Sequence, residues 1–150
     1  MGIGMFFLKL MGKTHVSLYR LTGGFVGGSF RGAPVLLLSV TGRKTGKRRT
    51  TPLLFLRDGE SLVVVGSNGG RDWDPQWLRN LEQNLEAEVR IKSSKIAVRA
   101  EKAGPSEKER LWPMVAKMFP SYDDYRKRTT RDIPLVILTP AGANRTASSN

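Results

Sequence analysis

The chain has 150 residues, a net charge of +12, a single histidine and no cysteine. This length predicts one domain with a hydrophobic core of its own. Without cysteine, the sequence excludes disulfides, thiolate metal sites and cysteine nucleophiles, and His15 alone cannot build a zinc site. We therefore expect no metal centre.

From the N-terminus, residues 3–21 predict an amphipathic helix, and the glycine-rich residues 22–34 predict a flexible, close-fitting loop. The longest early apolar stretch is about half of the roughly 20 residues that cross a membrane, and no signal-peptide cleavage site follows it. We expect an intracellular, cytoplasmic protein with an N-terminal helix (1–22), a barrel domain (23–140) and a disordered tail (141–150).

Six segments have the composition or the alternation of β-strands. They are residues 34–40, 51–56, 61–66, 87–91, 96–100 and 133–138. The first two flank only a short basic loop, so they predict a hairpin with the charge at its tip. Six mostly antiparallel strands with peripheral helices predict an α+β fold built on a closed or partly closed barrel.

Helix signals lie between these strands. Asp74 followed by Pro75 predicts an N-cap and a first helical position. Ser106 and Glu109 have the spacing of a capping box, and Pro113 is expected to kink or interrupt the helix that follows. One or two further helical turns are expected from residue 121.

Two segments account for nine of the twelve excess positive charges: residues 42–49 carry five cations and residues 126–131 carry four, without an acid in either. Such local excess indicates a polyanionic partner, which could be a phosphate or carboxylate ligand, nucleic acid or an anionic membrane. Exposed aromatic residues interleaved with the cations are missing, which disfavours nucleic acid. The plain alternative is a charged hairpin that keeps a sheet edge soluble.

The loop in "TGRKTGKRRT" has the chemistry of an anion site, because its backbone amides can surround an anion that the flanking cations also bind. It is neither a P-loop nor a dinucleotide fingerprint, since it joins two strands instead of a strand and a helix. The apolar strand behind it and the nearby "GSNGG" favour a ligand that also has a flat ring.

Four segments in order, "HVSLYRLTGGFVGG", "TGRKTGKRRTTPLLFL", "VVVGSNGGRDWDPQWLRNL" and "MFPSYDDY", resemble the deazaflavin (coenzyme F420)-dependent nitroreductase and quinone reductase family of actinobacteria. The resemblance covers residues 15 to 139. It implies a split β-barrel that binds 8-hydroxy-5-deazaflavin with its phosphate and oligoglutamate tail. It also implies an oxidoreductase that transfers a hydride from the reduced coenzyme to a quinone or another electron-poor acceptor, such as a nitroaromatic.

The resemblance also implies the site residues. Arg43, Lys44 and Thr45 would bind the phosphate and tail. Other implied cofactor contacts are Arg49, Thr50, Thr51, Pro52, Leu53, Leu54, Val65, Gly66, Ser67, Asn68, Gln76, Trp77, Leu78, Arg79, Asn80 and Tyr122. The implied substrate contacts are Leu54, Ser67, Phe119, Tyr122 and Tyr125.

Leu54 and Phe119 depart from the family pattern, because relatives that reduce nitroimidazoles often carry tyrosine at both places. This departure favours a quinone, with menaquinone as one candidate, over a nitro compound. The N-terminal helix is apolar and cationic, so it could contact an anionic membrane surface. The alternatives are a split barrel that binds FMN and, with less support, a basic nucleic-acid-binding module.

Overall fold

The computed structural model describes residues 16, 17, 19, 20 and 28–142. Val16, Ser17, Tyr19 and Arg20 are helical. The later elements are β1 (Ser29–Phe30), β2 (Ala33–Thr41), β3 (Arg48–Leu54), β4 (Leu56–Asp58), β5 (Ser61–Val65), a 3-10 turn (Asn68–Gly70), α1 (Gln76–Gln83), β6 (Glu86–Ile91), β7 (Ser94–Lys102), α2 (Pro105–Met118), α3 (Ser121–Arg128) and β8 (Leu135–Pro140).

The strands form one curled sheet in which every pairing is antiparallel. Its order is β1-β2-β6-β7-β8-β5-β4, and β3 pairs with the remaining edge of β2. The predicted hairpin is confirmed, with Val35 opposite Leu54 at one end and Thr41 opposite Arg48 at the other. The α+β class and the mostly antiparallel sheet are confirmed with it.

The described part of the chain has eight strands where the sequence predicted six. The additional strands, β1 and β4, have two and three residues, which is too short for a period-two signal. The predicted strand 51–56 was wrong as one unit. It divides at Phe55, because the chain leaves β2 there and pairs next with β5.

Strand β2 is buried on both faces, which explains its unbroken apolar run. Val35 and Leu37 belong to a core cluster that includes side chains of α2, α3 and the N-terminal helical residues. Leu36 and Leu38 point the other way, into a cluster with α1, β6 and β7. Helices therefore cover the sheet on opposite faces, and the free edge of β3 lies between them.

The predicted helix caps were wrong in detail. Helix α1 begins after Pro75, and no side chain caps it, because the Asp74 carboxylate forms an ion pair elsewhere. Helix α2 begins at Pro105, whose fixed φ suits the first turn, so Ser106 lies inside the helix and forms no capping bond. Pro113 does not interrupt α2, which runs on to Met118 with buried residues on either side of the proline.

Several predictions lie outside the described residues. They are most of the N-terminal helix 3–21, residues 22–27 of the predicted glycine-rich loop and the tail from residue 143. The remainder of that loop was predicted wrongly in part, because it contains β1 and the start of β2. Within the described ranges, no helix combines the length and the apolar character needed to cross a membrane.

Candidate functional site

The β2–β3 hairpin ends in a compact loop, residues 42–47. The amide of Gly42 donates to the Lys47 carbonyl (2.7 Å), and the amide of Gly46 donates to the Gly42 carbonyl (2.8 Å). The Lys47 amide donates to Thr45 Oγ1 at 3.2 Å. The amides of Lys44 and Thr45 have no partner among the described residues. Two consecutive free amides at a cationic tip form a concavity that suits an anion.

Arg43 is held beside these amides by neutral partners. Its Nη1 donates to Asn80 Oδ1 (2.8 Å) and its Nη2 to Gln76 Oε1 (2.9 Å), while its own amide donates to Asn80 Oδ1 at 3.1 Å. Carboxamide oxygens orient the guanidinium without neutralising it, and no acid within the described ranges pairs with it. Arg48 differs, because it forms an ion pair with Glu88 at 2.7 Å. Arg43 therefore presents a fixed, uncompensated charge.

The hairpin loop, β3, α1 and the N-terminal helical residues enclose a cavity of about 800 Å³, here called the basic groove. Nine of the residues implied for the cofactor line it: Arg43, Lys44, Thr45, Arg49, Thr50, Thr51, Gln76, Trp77 and Asn80. Five lining residues were not predicted: Val16, Ser17, Arg20, Gly42 and Arg48. None of the described lining residues is acidic.

Arg20 is the most informative of the residues that the sequence missed. Its Nη2 donates to Thr50 Oγ1 at 3.1 Å, and Thr50 Oγ1 lies 2.8 Å from the Ser39 hydroxyl oxygen. Arg20 thus connects the N-terminal helical residues to the groove wall, although it lies 30 positions before Thr50 in the sequence. No local pattern in the sequence indicates such a contact.

The outer edge of β3 carries unpaired backbone groups. Phe55 donates to the Pro34 carbonyl, so hydrogen-bonded and non-hydrogen-bonded positions alternate from there. Leu54, Pro52 and Thr50 occupy the non-hydrogen-bonded positions, which turn their backbone groups away from β2. Pro52, which lacks an N–H, fits one of them without the loss of a sheet bond. The edge therefore offers donors and acceptors along the groove.

A second, narrow cavity of about 60 Å³ is here called the aromatic pocket. It contains all five residues implied for the substrate: Leu54, Ser67, Phe119, Tyr122 and Tyr125. Six more residues line it: Pro52, Leu53, Val65, Asn68, Gly69 and Pro75. The two cavities share no lining residue, but neighbours in the chain line both: Thr51 and Pro52 on β3, and Pro75 and Gln76 at the start of α1.

Three aromatic rings at the α2–α3 junction form one wall of the aromatic pocket. The ring centroid of Tyr122 lies 5.0 Å from that of Phe119 and 6.1 Å from that of Tyr125, both in edge-on geometry. Burial raises the pKa of the Tyr122 phenol well above its usual value. Burial also raises the pKa of Tyr125, although Arg128 and Arg31 act in the opposite direction. Both phenols are therefore protonated at neutral pH and can donate hydrogen bonds.

Removal of the Tyr122 hydroxyl should make the protein more resistant to alkali. Because the folded-state pKa of Tyr122 is raised, its contribution to stability is complete below the unfolded value of about 10 and is lost as the pH rises above it. We expect the free energy of unfolding to fall less steeply above that pH in Tyr122→Phe than in the wild type. Urea unfolding over an alkaline pH series measures it, and parallel curves would contradict it.

Three implied cofactor residues do not line either cavity. Gly66 lies in a tight place, where an added Cβ would come within 3.0 Å of Leu78 and Pro134. The Leu78 side chain is buried in the core, and Arg79 is exposed. Gly66 and Leu78 therefore pack in the interior behind the site, and Arg79 lies on the surface.

The second basic segment is not a free anion site in this fold. The Arg126 guanidinium lies 4.4 Å from the Trp112 ring centroid, and that of Arg128 lies 5.5 Å from the Tyr125 ring centroid. Arg131 forms an ion pair with Asp74 at 2.7 Å. The expectation of a polyanionic partner at both segments therefore needs correction, because three of these four cations have partners within the chain.

Comparison with known proteins shows the family of this chain. The family described as F420H(2)-dependent quinone reductase matches residues 10–140. An F420H(2)-dependent quinone reductase of Mycobacterium tuberculosis is 38% identical over 131 residues, which are 85% of this chain and 88% of that protein.

Two solved structures share the fold. An F420-H2 dependent reductase is 29% identical, with a TM-score of 0.65 over 70% of this chain and 93% of that one. A chain described as a domain-swapped dimer is 27% identical, with a TM-score of 0.68 over 83% of this chain and 95% of the other.

The fold and the site thus define a split β-barrel of the F420-dependent reductase class. The chain belongs to the F420H(2)-dependent quinone reductase family, which is a family of oxidoreductases. The resemblance, the split-barrel fold and the enzyme class that the sequence predicted are confirmed.

Proposed function

We propose that this protein transfers a hydride from reduced coenzyme F420 to a quinone. Family membership supports the reaction class. The observation that carries the proposal is the uncompensated Arg43 guanidinium in a basic groove, with an aromatic pocket lined by the next residues along β3. The charge of the groove suits a ligand with an acidic tail, and the aromatic walls of the pocket suit a flat ring.

The groove residues fit the anionic part of F420. The free amides of Lys44 and Thr45 and the guanidinium of Arg43 would hold the phosphate by charge-assisted hydrogen bonds. Arg49 and Arg20 line the same cavity and would attract the glutamate carboxylates of the tail. Binding of this kind should weaken as the salt concentration rises, because exposed charges are screened.

The outer edge of β3 would position the ring system. Backbone groups of Thr50, Pro52 and Leu54 face away from β2 and can bond the polar edge of a heterocycle. When bound, the reduced deazaflavin supplies the hydride, while the protein supplies orientation and electrostatics. The apolar walls of the aromatic pocket would exclude water from the acceptor.

Ser67 and Tyr122 can stabilise the charge that develops on the acceptor. A quinone that receives a hydride gains negative charge on an oxygen and then takes up one proton to become the hydroquinone. The Tyr122 phenol stays protonated, so it can donate a hydrogen bond to that oxygen. The Ser67 hydroxyl lines the same pocket and has no partner among the described residues, so it can do the same.

The apolar Leu54 and Phe119 favour a lipophilic quinone over a nitroaromatic acceptor. We extend the proposal to a quinone of the menaquinone type, because the described pocket walls are largely apolar and aromatic. Access to such a quinone would place the protein in the cytoplasm, at the inner face of the membrane. Flotation with anionic vesicles, with and without residues 1–14, tests the membrane contact.

Fluorescence titration with oxidised F420 at low salt is the first test. We expect binding that weakens with added salt, and oxidation of reduced F420 in the presence of menadione. A nitroimidazole should be reduced more slowly than menadione, and FMN should not displace the bound F420. The proposal fails if the protein neither binds F420 nor oxidises its reduced form.

A further inference from the structure

Arg131 lies outside both cavities, yet all three nitrogens of its guanidinium bind the segment that faces the aromatic pocket. Nη1 donates to the Gly66 carbonyl (3.2 Å) and to Asp74 Oδ1 (2.7 Å). Nη2 donates to the carbonyls of Ser67 (3.0 Å) and Arg71 (3.1 Å), and Nε also donates to the Arg71 carbonyl (3.2 Å). We call these contacts the Arg131 clasp.

The clasp joins the two ends of one short segment, residues 66–74. Between the ends lie Ser67, Asn68 and Gly69, which line the aromatic pocket. The side chain of Arg131 is only 14% exposed. Its guanidinium therefore fixes the wall of the pocket that faces Tyr122 and Tyr125, although it lies 64 positions along the chain from Ser67.

The segment needs such a partner for two physical reasons. Three consecutive residues have positive φ: Asn68 (+48°), Gly69 (+65°) and Gly70 (+82°). Asn68 tolerates this conformation better than most residues do, but it still favours the left-handed region only when surrounding contacts hold it. In addition, the carbonyls of residues 66, 67 and 71 converge on one point, where their dipoles would repel one another without a cation between them.

We propose that Arg131 is a positioning residue that sets the width of the aromatic pocket and thereby its discrimination among acceptors. This inference rests on the proposed function of the pocket. A planar guanidinium can bridge three carbonyls and a carboxylate at once, whereas the single ammonium of lysine cannot. Because the pocket is narrow, a small displacement of residues 67–69 should change how an acceptor ring is held.

The test compares Arg131→Lys with the wild type, with a bicyclic quinone (menadione) and a single-ring benzoquinone as acceptors. We expect the kcat/KM for menadione to fall by about tenfold to a hundredfold, because small misplacements at a reacting centre have effects of that size. The preference between the two quinones should shrink. F420 affinity should change less than kcat/KM, since the residues proposed to hold its phosphate and tail line the basic groove and do not contact Arg131.

Two variants control for charge and for the substitution itself. Asp74→Asn removes the ion pair but leaves the carbonyl contacts, so the quinone preference should persist. Arg99→Lys makes the same exchange at an exposed position of β7 and should behave as the wild type. If Arg131→Lys keeps the wild-type preference, or if Asp74→Asn loses it equally, the proposed role of the carbonyl contacts is wrong.

A milder variant, Thr129→Val, tests the inference if Arg131→Lys does not fold. Thr129 Oγ1 donates to Asp72 Oδ1 (2.7 Å) and accepts from the Arg131 amide (3.1 Å), so Thr129→Val should loosen the same clasp. It should shift the quinone preference in the same direction, and an unchanged preference would overturn the inference. Failure of the wild type to oxidise reduced F420 would instead overturn the proposed function.

Discussion

Arg43→Ala should weaken the binding of oxidised F420 roughly ten- to a hundredfold, because a hydrogen bond to a charged group contributes about 1.5–3 kcal/mol. The reason lies in how Arg43 is held. Asn80 and Gln76 orient the guanidinium through neutral oxygens, so its charge stays available to a ligand. Fluorescence titration at low salt measures the dissociation constant directly.

Three variants sharpen the interpretation. Arg43→Lys keeps the charge but loses the fork that two carboxamides orient, so we expect an intermediate affinity. Arg48→Ala removes a groove cation that Glu88 already neutralises and should weaken binding much less. Arg99→Ala removes one positive charge at an exposed position of β7 that lines neither cavity, and it controls for net charge. If Arg43→Ala and Arg99→Ala bind F420 with equal affinity, the proposed contact between Arg43 and the ligand is wrong.

Arg43→Ala should also reduce the salt dependence of F420 binding. Each cation that contacts the ligand adds to the loss of affinity with rising salt, since screening weakens exposed charge pairs. The slope of affinity against salt should therefore be shallower in Arg43→Ala than in Arg99→Ala. Equal slopes would show that Arg43 does not contact the charged part of F420.

The basic hairpin could be predicted from the sequence because everything that defines it is local. Two apolar runs flank a short loop with glycines, and strand pairing follows directly from that pattern. The short strands β1 and β4 could not be predicted in the same way. They exist because neighbouring strands provide partners for Ser29–Phe30 and Leu56–Asp58, and neither segment is long enough to show a period of its own.

The architecture around the site was less predictable, because it depends on contacts between distant parts of the chain. Asp74 looks like an N-cap, yet its carboxylate pairs with Arg131, 57 positions later. The basic run that contains Arg131 looks like an anion site, yet Arg131 binds backbone carbonyls and Asp74 within the chain. The ion pair with the partly buried Arg131 guanidinium thus outweighed the local propensity of Asp74 for a helix cap.

The residues implied for the two cavities came from the resemblance, and the structure explains why local reasoning alone could not group them. Ser67 and Tyr122 lie 55 positions apart in the sequence and line one pocket only because α3 packs on the 3-10 turn. Leu78 has the helical spacing of an inner face, and it is indeed buried in the core. Its neighbour Arg79 is exposed, because helical periodicity places it on the outer face of α1.

Gly70→Ala should be among the most destabilising small substitutions in this chain. An added Cβ would lie 3.0 Å from Tyr125 Cα and 3.1 Å from the Tyr125 carbonyl oxygen, and neither backbone atom can move cheaply. We expect a loss of roughly 2–5 kcal/mol in the free energy of unfolding, from a left-handed φ of about 1–2 kcal/mol and overpacking of about 1–3 kcal/mol. Urea unfolding measures it.

Gly32→Ala is the matched control for this loss. Gly32 and Gly70 share a φ of +82°, but an added Cβ at Gly32 would meet nothing within 4 Å. The difference between the two variants therefore isolates the contact between the 3-10 turn and α3. Because that contact also joins the two walls of the aromatic pocket, Gly70→Ala should lower kcat/KM for menadione while Gly32→Ala leaves it unchanged. Equal losses of stability in both variants would show that the turn adapts without moving α3.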